Sequence, residues 1–217
     1  FIASEITGNP TDSSITINIV PAADMEVSYE YGTAPGVYTS TTALQHAAAG
    51  MPLETVIDGL QPDTRYYYRI NYKGKTGSEH TFITQRAKGS TFTFGIQGDS
   101  HPERTKNQFN PDLYTRTLLS AAADMPDFYF TIGDDFGVDT LKNVNPETVQ
   151  EQYINQRQWL GLVGAPVFLV NGNHEQAALA NLDGTPDNVA VWAQTARNAL
   201  FPQPAPDGFY TGDAEQV

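Results

Sequence analysis

The chain of 217 residues contains no cysteine. That removes disulfides, thiolate chemistry and cysteine-based metal clusters. It does not decide the compartment, because many exported proteins also lack cysteine. No run of about 18 apolar residues occurs, so no transmembrane helix is expected. Basic side chains are scarce: 12 Lys and Arg stand against 25 Asp and Glu, a formal net charge of -13. Residues 1–90 hold nine acidic and six basic side chains, giving -3, and residues 91–217 hold sixteen and six, giving -10. No basic patch survives that count, so a nucleic-acid polymer is not an expected partner. An acidic field also repels a phosphate substrate unless metal ions reverse it locally. An ordinary acidic surface is the competing reading. No signal peptide is visible, and the first residue is Phe1 rather than Met, which is compatible with removal of one or with trimming. Histidine is sparse too, and none follows His174.

What is present begins with short alternating runs. Ile15, Ile17 and Ile19 share one face of a strand over 13–20, and Val27, Tyr29 and Tyr31 one face of another over 25–31. Shorter strand candidates follow at 39–42, 51–57 and 79–84. Arg65–Tyr72 carries Tyr66, Tyr68, Ile70 and Tyr72 at period two. Many short strands, turn signals between them and no helix predict a β-sandwich. Leu60-Gln61-Pro62-Asp63-Thr64-Arg65-Tyr66 resembles the Leu-x-Pro-x-Thr-x-Tyr stretch of fibronectin type III domains. The resemblance implies a tyrosine corner at Tyr66 and a sandwich domain over residues 1–86. His46 and His80, without clustered carboxylates, read as surface or turn residues. Residues 85–90 read as a linker.

The remaining chain reads as strand, helix, strand, helix, strand: 91–100, 111–123, 128–132, 146–163 and 167–170. The second strand is nearly all apolar, as expected for one covered on both faces. Crossovers of this length predict parallel pairing. Each strand ends in a polar tip: Gly98-Asp99-Ser100-His101, Gly133-Asp134-Asp135 and Gly172-Asn173-His174-Glu175. Open α/β sheets bind ligands at strand C-termini, so the three tips predict one site. Carboxylate, imidazole and amide donors together suit Zn, Mn or Fe. Asp135–Asn145 and Asn181–Asn188 read as acidic loops, and 192–200 as a short helix.

Asp-x-His, Gly-Asp and Gly-Asn-His-Glu at strand–helix spacing resemble the motifs of calcineurin-like metallophosphoesterases. A preceding sandwich is similar to the arrangement in purple acid phosphatases and D-type alkaline phosphatases. The resemblance implies a catalytic domain over 91–217 and a metal-dependent hydrolase cleaving phosphate monoesters or diesters. It implies two metal ions about 3.5–4 Å apart, with a metal-activated hydroxide attacking phosphorus in line. Asp99 and His101 would hold the first ion, Asp134 would bridge, and Asn173 would hold the second. His174 would face the substrate and protonate the leaving group. Glu175 would orient a neighbour, Asp135 would face solvent or support the ligands, and Arg104 would clamp phosphate or pair with an acid.

Two departures qualify the resemblance. Purple acid phosphatases carry a tyrosine three residues after the bridging aspartate, where this chain has Gly137. With His101 in place of that ligand, a non-purple enzyme is expected. The family also needs later histidines, which leads to the expectation of a downstream remainder of the catalytic domain. A small phosphorylated substrate and a secreted or periplasmic location complete the expectation. The alternatives are a non-catalytic secreted binding or adhesion protein on a degenerate scaffold, and a 5′-nucleotidase-like hydrolase.

Overall fold

Period-two alternation sorts the N-terminal strands into two facing sheets. The computed structural model describes residues 1–106, 108–175 and 184–212. In chain order the strands are β1 (Ala3–Gly8), β2 (Ile15–Val20), β3 (Met25–Gly32), β4 (Ser40–Thr41), β5 (Gln45–Ala47), β6 (Leu53–Ile57), β7 (Arg65–Tyr72), β8 (Lys75–Thr76) and β9 (His80–Ile83). One antiparallel sheet runs β1-β2-β6, and the other runs β4-β3-β7-β8, with β5 on β3 and β9 on β7. Ile15, Ile17 and Ile19 meet Val27, Tyr29, Tyr68, Ile70 and Phe82 in the core between them. Each such buried side chain contributes about 1.5–3 kcal/mol. The tyrosine corner forms: the Gln61 N–H donates to the Tyr66 hydroxyl at 2.9 Å. β1 and β5 carry no alternation strong enough to be anticipated.

The second region builds β10 (Phe94–Gln97), α1 (Pro111–Ala123), β11 (Phe128–Thr131), α2 (Pro146–Leu160), β12 (Val167–Leu169) and α3 (Val189–Leu200). The β-sandwich is thus followed by an α/β region, as expected. β10, β11 and β12 pair in parallel, so that Gln97, Thr131 and Leu169 lie side by side at the C-terminal edge. Asn110 caps α1 by accepting from the Leu113 N–H, and Asn145 forms a capping box with Thr148 on α2. Each cap contributes about 1 kcal/mol, and Pro111 and Pro146 occupy first-turn positions where no N–H is required. α2 ends earlier than its apolar stripe implied, because Gly161–Val163 tightens into a 3-10 turn before left-handed Gly164. α3 begins at Val189, ahead of the expected 192. Of the acidic loop at 181–188, residues 181–183 lie outside the described residues.

Among the described residues, α1 packs on one face of the three-stranded sheet. Tyr129 packs under α1 with Leu118, Val163 and Ala165. The opposite face carries Phe94, Phe128, Phe130 and Phe168, joined ring to ring at 5.0–6.4 Å. Phe94 and Ile96 are 47% and 60% exposed there. Phe92 meets Phe128 at 5.8 Å at one edge of that face, and Tyr210 lies 6.4 Å from Phe168 at the other.

The two regions share a core. Ala3, Ile6 and Val20 from β1 and β2 join Tyr153, Leu160, Ala193, Leu200 and Phe201 in one apolar cluster. Fully buried Arg157 on α2 crosses to the sandwich. Its guanidinium donates to the Ser4 carbonyl, to the Asn18 carbonyl at 2.7 Å and to Asn18 Oδ1 at 2.5 Å. It also reaches the Leu200 carbonyl at 2.9 Å. Nothing in the sequence marks this arginine.

Candidate metal centre

Three turns at the C-terminal edge of the parallel sheet are locked to one another by backbone groups. The Asp99 N–H donates to the Gly133 carbonyl at 3.0 Å, and the His101 N–H to the Asp134 carbonyl at 3.3 Å. Asp99, His101 and Asp134 all adopt left-handed backbone, with φ of 53°, 43° and 58°. Non-glycine residues pay for this conformation and hold it where surrounding structure enforces it. The third turn approaches so closely that a Cβ on Gly172 would sit 2.1 Å from Asp134 Oδ1.

Glu175 joins the second turn to the third. Its buried carboxylate accepts the N–H groups of Asp134, Asp135, Phe136 and Gly172 at 2.6–2.9 Å. Four donors on one carboxylate satisfy backbone groups that would otherwise be orphaned away from water.

Within this frame, ligand atoms of His101, Asp134 and His174 all lie within 4.8 Å of one another. The two imidazoles meet edge to face, with centroids 4.9 Å apart. Each ring has Nδ1 on a carboxylate: Glu103 Oε1 at 2.9 Å for His101, and Asp139 at 2.7 and 2.8 Å for His174. A carboxylate accepts, so each Nδ1 is the donor, and in a neutral ring the lone pair then lies on Nε2. Such carboxylate–imidazole pairs are the usual support of histidines that bind metal. The donors suit a single Zn, Mn or Fe ion. Among the described residues, His, Asp and Glu side chains form this one cluster.

The other expected residues lie around it. Asp99 is 74% exposed at its side chain, with Oδ1 3.9 Å from His101 Nε2. Asn173 is exposed on the third turn. Arg104 Nη2 lies 3.4 Å from His174 Nε2, and Arg104 also pairs loosely with Glu103 at 3.4 Å. Asp135 does not face solvent. It is fully buried and accepts from Gln97 Nε2 at 2.8 Å. Burial pushes its carboxyl up to about 6, against the opposing hydrogen bonds of Ser100, Gln97 and Thr131. The hydrogen bond to Asp139, outweighing partial burial, raises the pKa of His174. Asp139 and Glu103 escaped sequence reasoning. The acidic loop after Asp134 was the available signal for the first, and the Asp-x-His-x-Glu spacing for the second.

No protein-family model matches the chain, and no curated protein matches it. Among solved structures, the chain is similar to one described as the structure of PhoD, with a TM-score of 0.65 and 18% identity. That similarity covers 98% of this chain and 48% of the other, so this chain spans about half of that protein's length. At this identity the likeness is one of fold. The sensor domain of the anti-sigma factor RsgI4 in Pseudobacteroides cellulosolvens covers 39% of this chain at 16% identity and a TM-score of 0.31, matching 93% of its own length. The FN5 domain of Drosophila Lar covers 39% at 16% identity and a TM-score of 0.28, matching 95% of its own length. The fold is therefore related to that of PhoD, and it brings together one His/Asp/His group able to hold a metal ion.

Proposed function

We propose that the chain carries the metal-binding edge of a phosphoric-ester hydrolase. The observation that carries the reading is the convergence of His101, Asp134 and His174, with both imidazoles anchored at Nδ1. His101 and Asp134 would hold an ion, with Asp99 completing its shell. A second ion would be bridged by Asp134 and held by Asn173. A bound ion supplies Lewis-acid polarisation of a phosphoryl oxygen and lowers the pKa of a coordinated water. The protein's own groups do the rest. Asp139 holds the proton of His174 on Nδ1 and favours the imidazolium, which suits protonation of a leaving oxygen. Arg104, beside His174 Nε2, suits a phosphoryl oxygen. Glu175 keeps the turns in register.

The same proposal divides the chain at residues 86 and 91 and places the protein outside the cytoplasm, with a small phosphate ester as substrate. It also includes a further polypeptide layer, the expected remainder of the catalytic domain, over the open phenylalanine face. Sheets bury their apolar faces against another layer, and Phe94, Ile96 and Ile132 are exposed here.

The test combines metal analysis of the purified protein with assays on a phosphate monoester and a diester. His174→Ala is expected to lower turnover by about 10²–10⁴-fold, the usual contribution of a positioned acid, with little loss of metal. Loss of most metal in that variant would instead make His174 a ligand. Wild-type protein that binds no metal would sink the reading.

A further inference from the structure

We infer that Glu103 is the positioning residue for His101, and that the missing side chain at Gly137 makes room for it. The inference rests on the metal-centre reading and adds the means by which one of its ligands is oriented.

The chain turns sharply after His101. Left-handed His101 is followed by buried Pro102, which opens a single 3-10 turn over Pro102–Arg104. That turn folds the Glu103 side chain back beneath the ring of the residue two before it. Oε1 ends 2.9 Å from His101 Nδ1, with the glutamate side chain only 12% exposed. The hydrogen on Nδ1 is thereby fixed, and Nε2, 3.9 Å from Asp99 Oδ1, is left to serve the cluster with Asp134 and His174. Oε2 is buried with no hydrogen-bond partner. A buried carboxylate oxygen without a donor is costly, so neutral hydrogen bonding does not by itself explain why Glu103 is held there. Its interaction with Arg104 is longer, at 3.4 Å, and the arginine is 32% exposed.

Gly137 supplies the second, independent observation. Its φ of -66° and ψ of 67° are those of an inverse γ-turn, closed by the Val138 N–H on the Phe136 carbonyl at 2.6 Å. Every L-residue adopts that conformation, so the backbone does not require glycine. Space does. A Cβ on residue 137 would lie 2.4 Å from Glu103 Oε1, 2.5 Å from Cδ and 3.0 Å from Oε2. The contact is with the whole carboxylate, so any side chain at 137 displaces the group that orients His101. Position 137 acts on the metal ligand through Glu103 and needs no contact with the ion.

The experiment uses the full chain and two readouts: Zn²⁺ affinity by calorimetry, and the His101 tautomer from long-range ¹H–¹⁵N correlation spectra. Glu103→Ala is expected to weaken Zn²⁺ binding by about 10–100-fold, as for other partners of metal-bound histidines, and to shift His101 away from the Nδ1–H form. Gly137→Ala is expected to do the same, and the double variant to be no worse than either single one, because both remove one interaction. Glu103→Gln still offers an oxygen to Nδ1 and should keep the tautomer with a smaller loss of affinity. Additive losses, or an Nδ1–H signal unchanged in Glu103→Ala, would overturn the inference. If wild-type protein bound no Zn²⁺, the metal-centre reading would fall, while the tautomer of the metal-free variants would still decide whether Glu103 orients His101.

Discussion

Glu5 and Glu175 both hold their carboxylates largely out of solvent, and their surroundings differ. Glu175 accepts four backbone N–H groups and so ties the turns together. Glu5 lies on β1 near Tyr29 and Arg157, with Oε2 3.7 Å from His80 Nε2. Burial pushes its carboxyl up to about 7 from an ordinary 4.5, outweighing the Tyr29 hydroxyl and the Arg157 charge. Between those values the folded chain keeps a proton that the unfolded chain has released. Stability contributed by Glu5 therefore falls as pH rises from about 4.5 to 7 and is flat above that. Burial lowers the pKa of His80, which acts in the reverse sense, so variants should be compared with wild type at each pH. Glu5→Gln is expected to stabilise the protein at pH 8 by up to about 3 kcal/mol and by little at pH 4. Urea unfolding at the two pH values checks this, and an equal effect at both would contradict it.

At the scale of elements, the strands are short and their turns carry the chemistry. The apolar run at 91–100 predicted a longer strand than the observed Phe94–Gln97. Its last residues leave the ladder because Asp99 and His101 bond to the neighbouring turn instead. Alternation reports which side chains share a face, but not where a ladder stops. The three polar tips were visible in the sequence, and so was their common edge. Their close packing was not, because it depends on contacts between backbones about 40 residues apart. Gly172→Ala tests that packing: the new Cβ would meet Asp134 Oδ1 at 2.1 Å and Asp134 N at 2.6 Å. A loss of about 1–3 kcal/mol is expected from the forced displacement, together with weaker Zn²⁺ binding. Thermal melting and a metal titration measure both, and unchanged values would mean that the turns are free to separate.

At the scale of the whole molecule, the sandwich is part of the foundation of the α/β region. β2 is buried along its whole length, with isoleucines toward the sandwich core and Thr16, Asn18 and Val20 toward the second region. Arg157 fixes that contact. Burial pulls its pKa down to about 10, and neighbouring Tyr29, Glu5 and Glu54 oppose the shift. Arg157→Met would leave the Ser4, Asn18 and Leu200 carbonyls without their donor. A loss on the order of 3 kcal/mol is expected, read as a single lowered urea midpoint. Two separate transitions in wild-type protein would show that the regions unfold independently and that the shared core couples them weakly.

The sequence by itself determined the fold class and the order of its longer elements, because periodicity, caps and turn residues act over a few neighbouring positions. It also marked His101, Asp134 and His174 as polar ends of apolar runs. Only the tertiary structure decided which carboxylates serve the two histidines, that Asp135 is buried, and that Arg157 ties the regions together. It alone showed that α1 packs on the Tyr129 face of the parallel sheet. These outcomes depend on distances between residues far apart in the chain, and local pattern carries no information about them. The faces of that sheet have the clearest reason: alternating phenylalanines report a surface that repels water, but only tertiary neighbours decide what covers it.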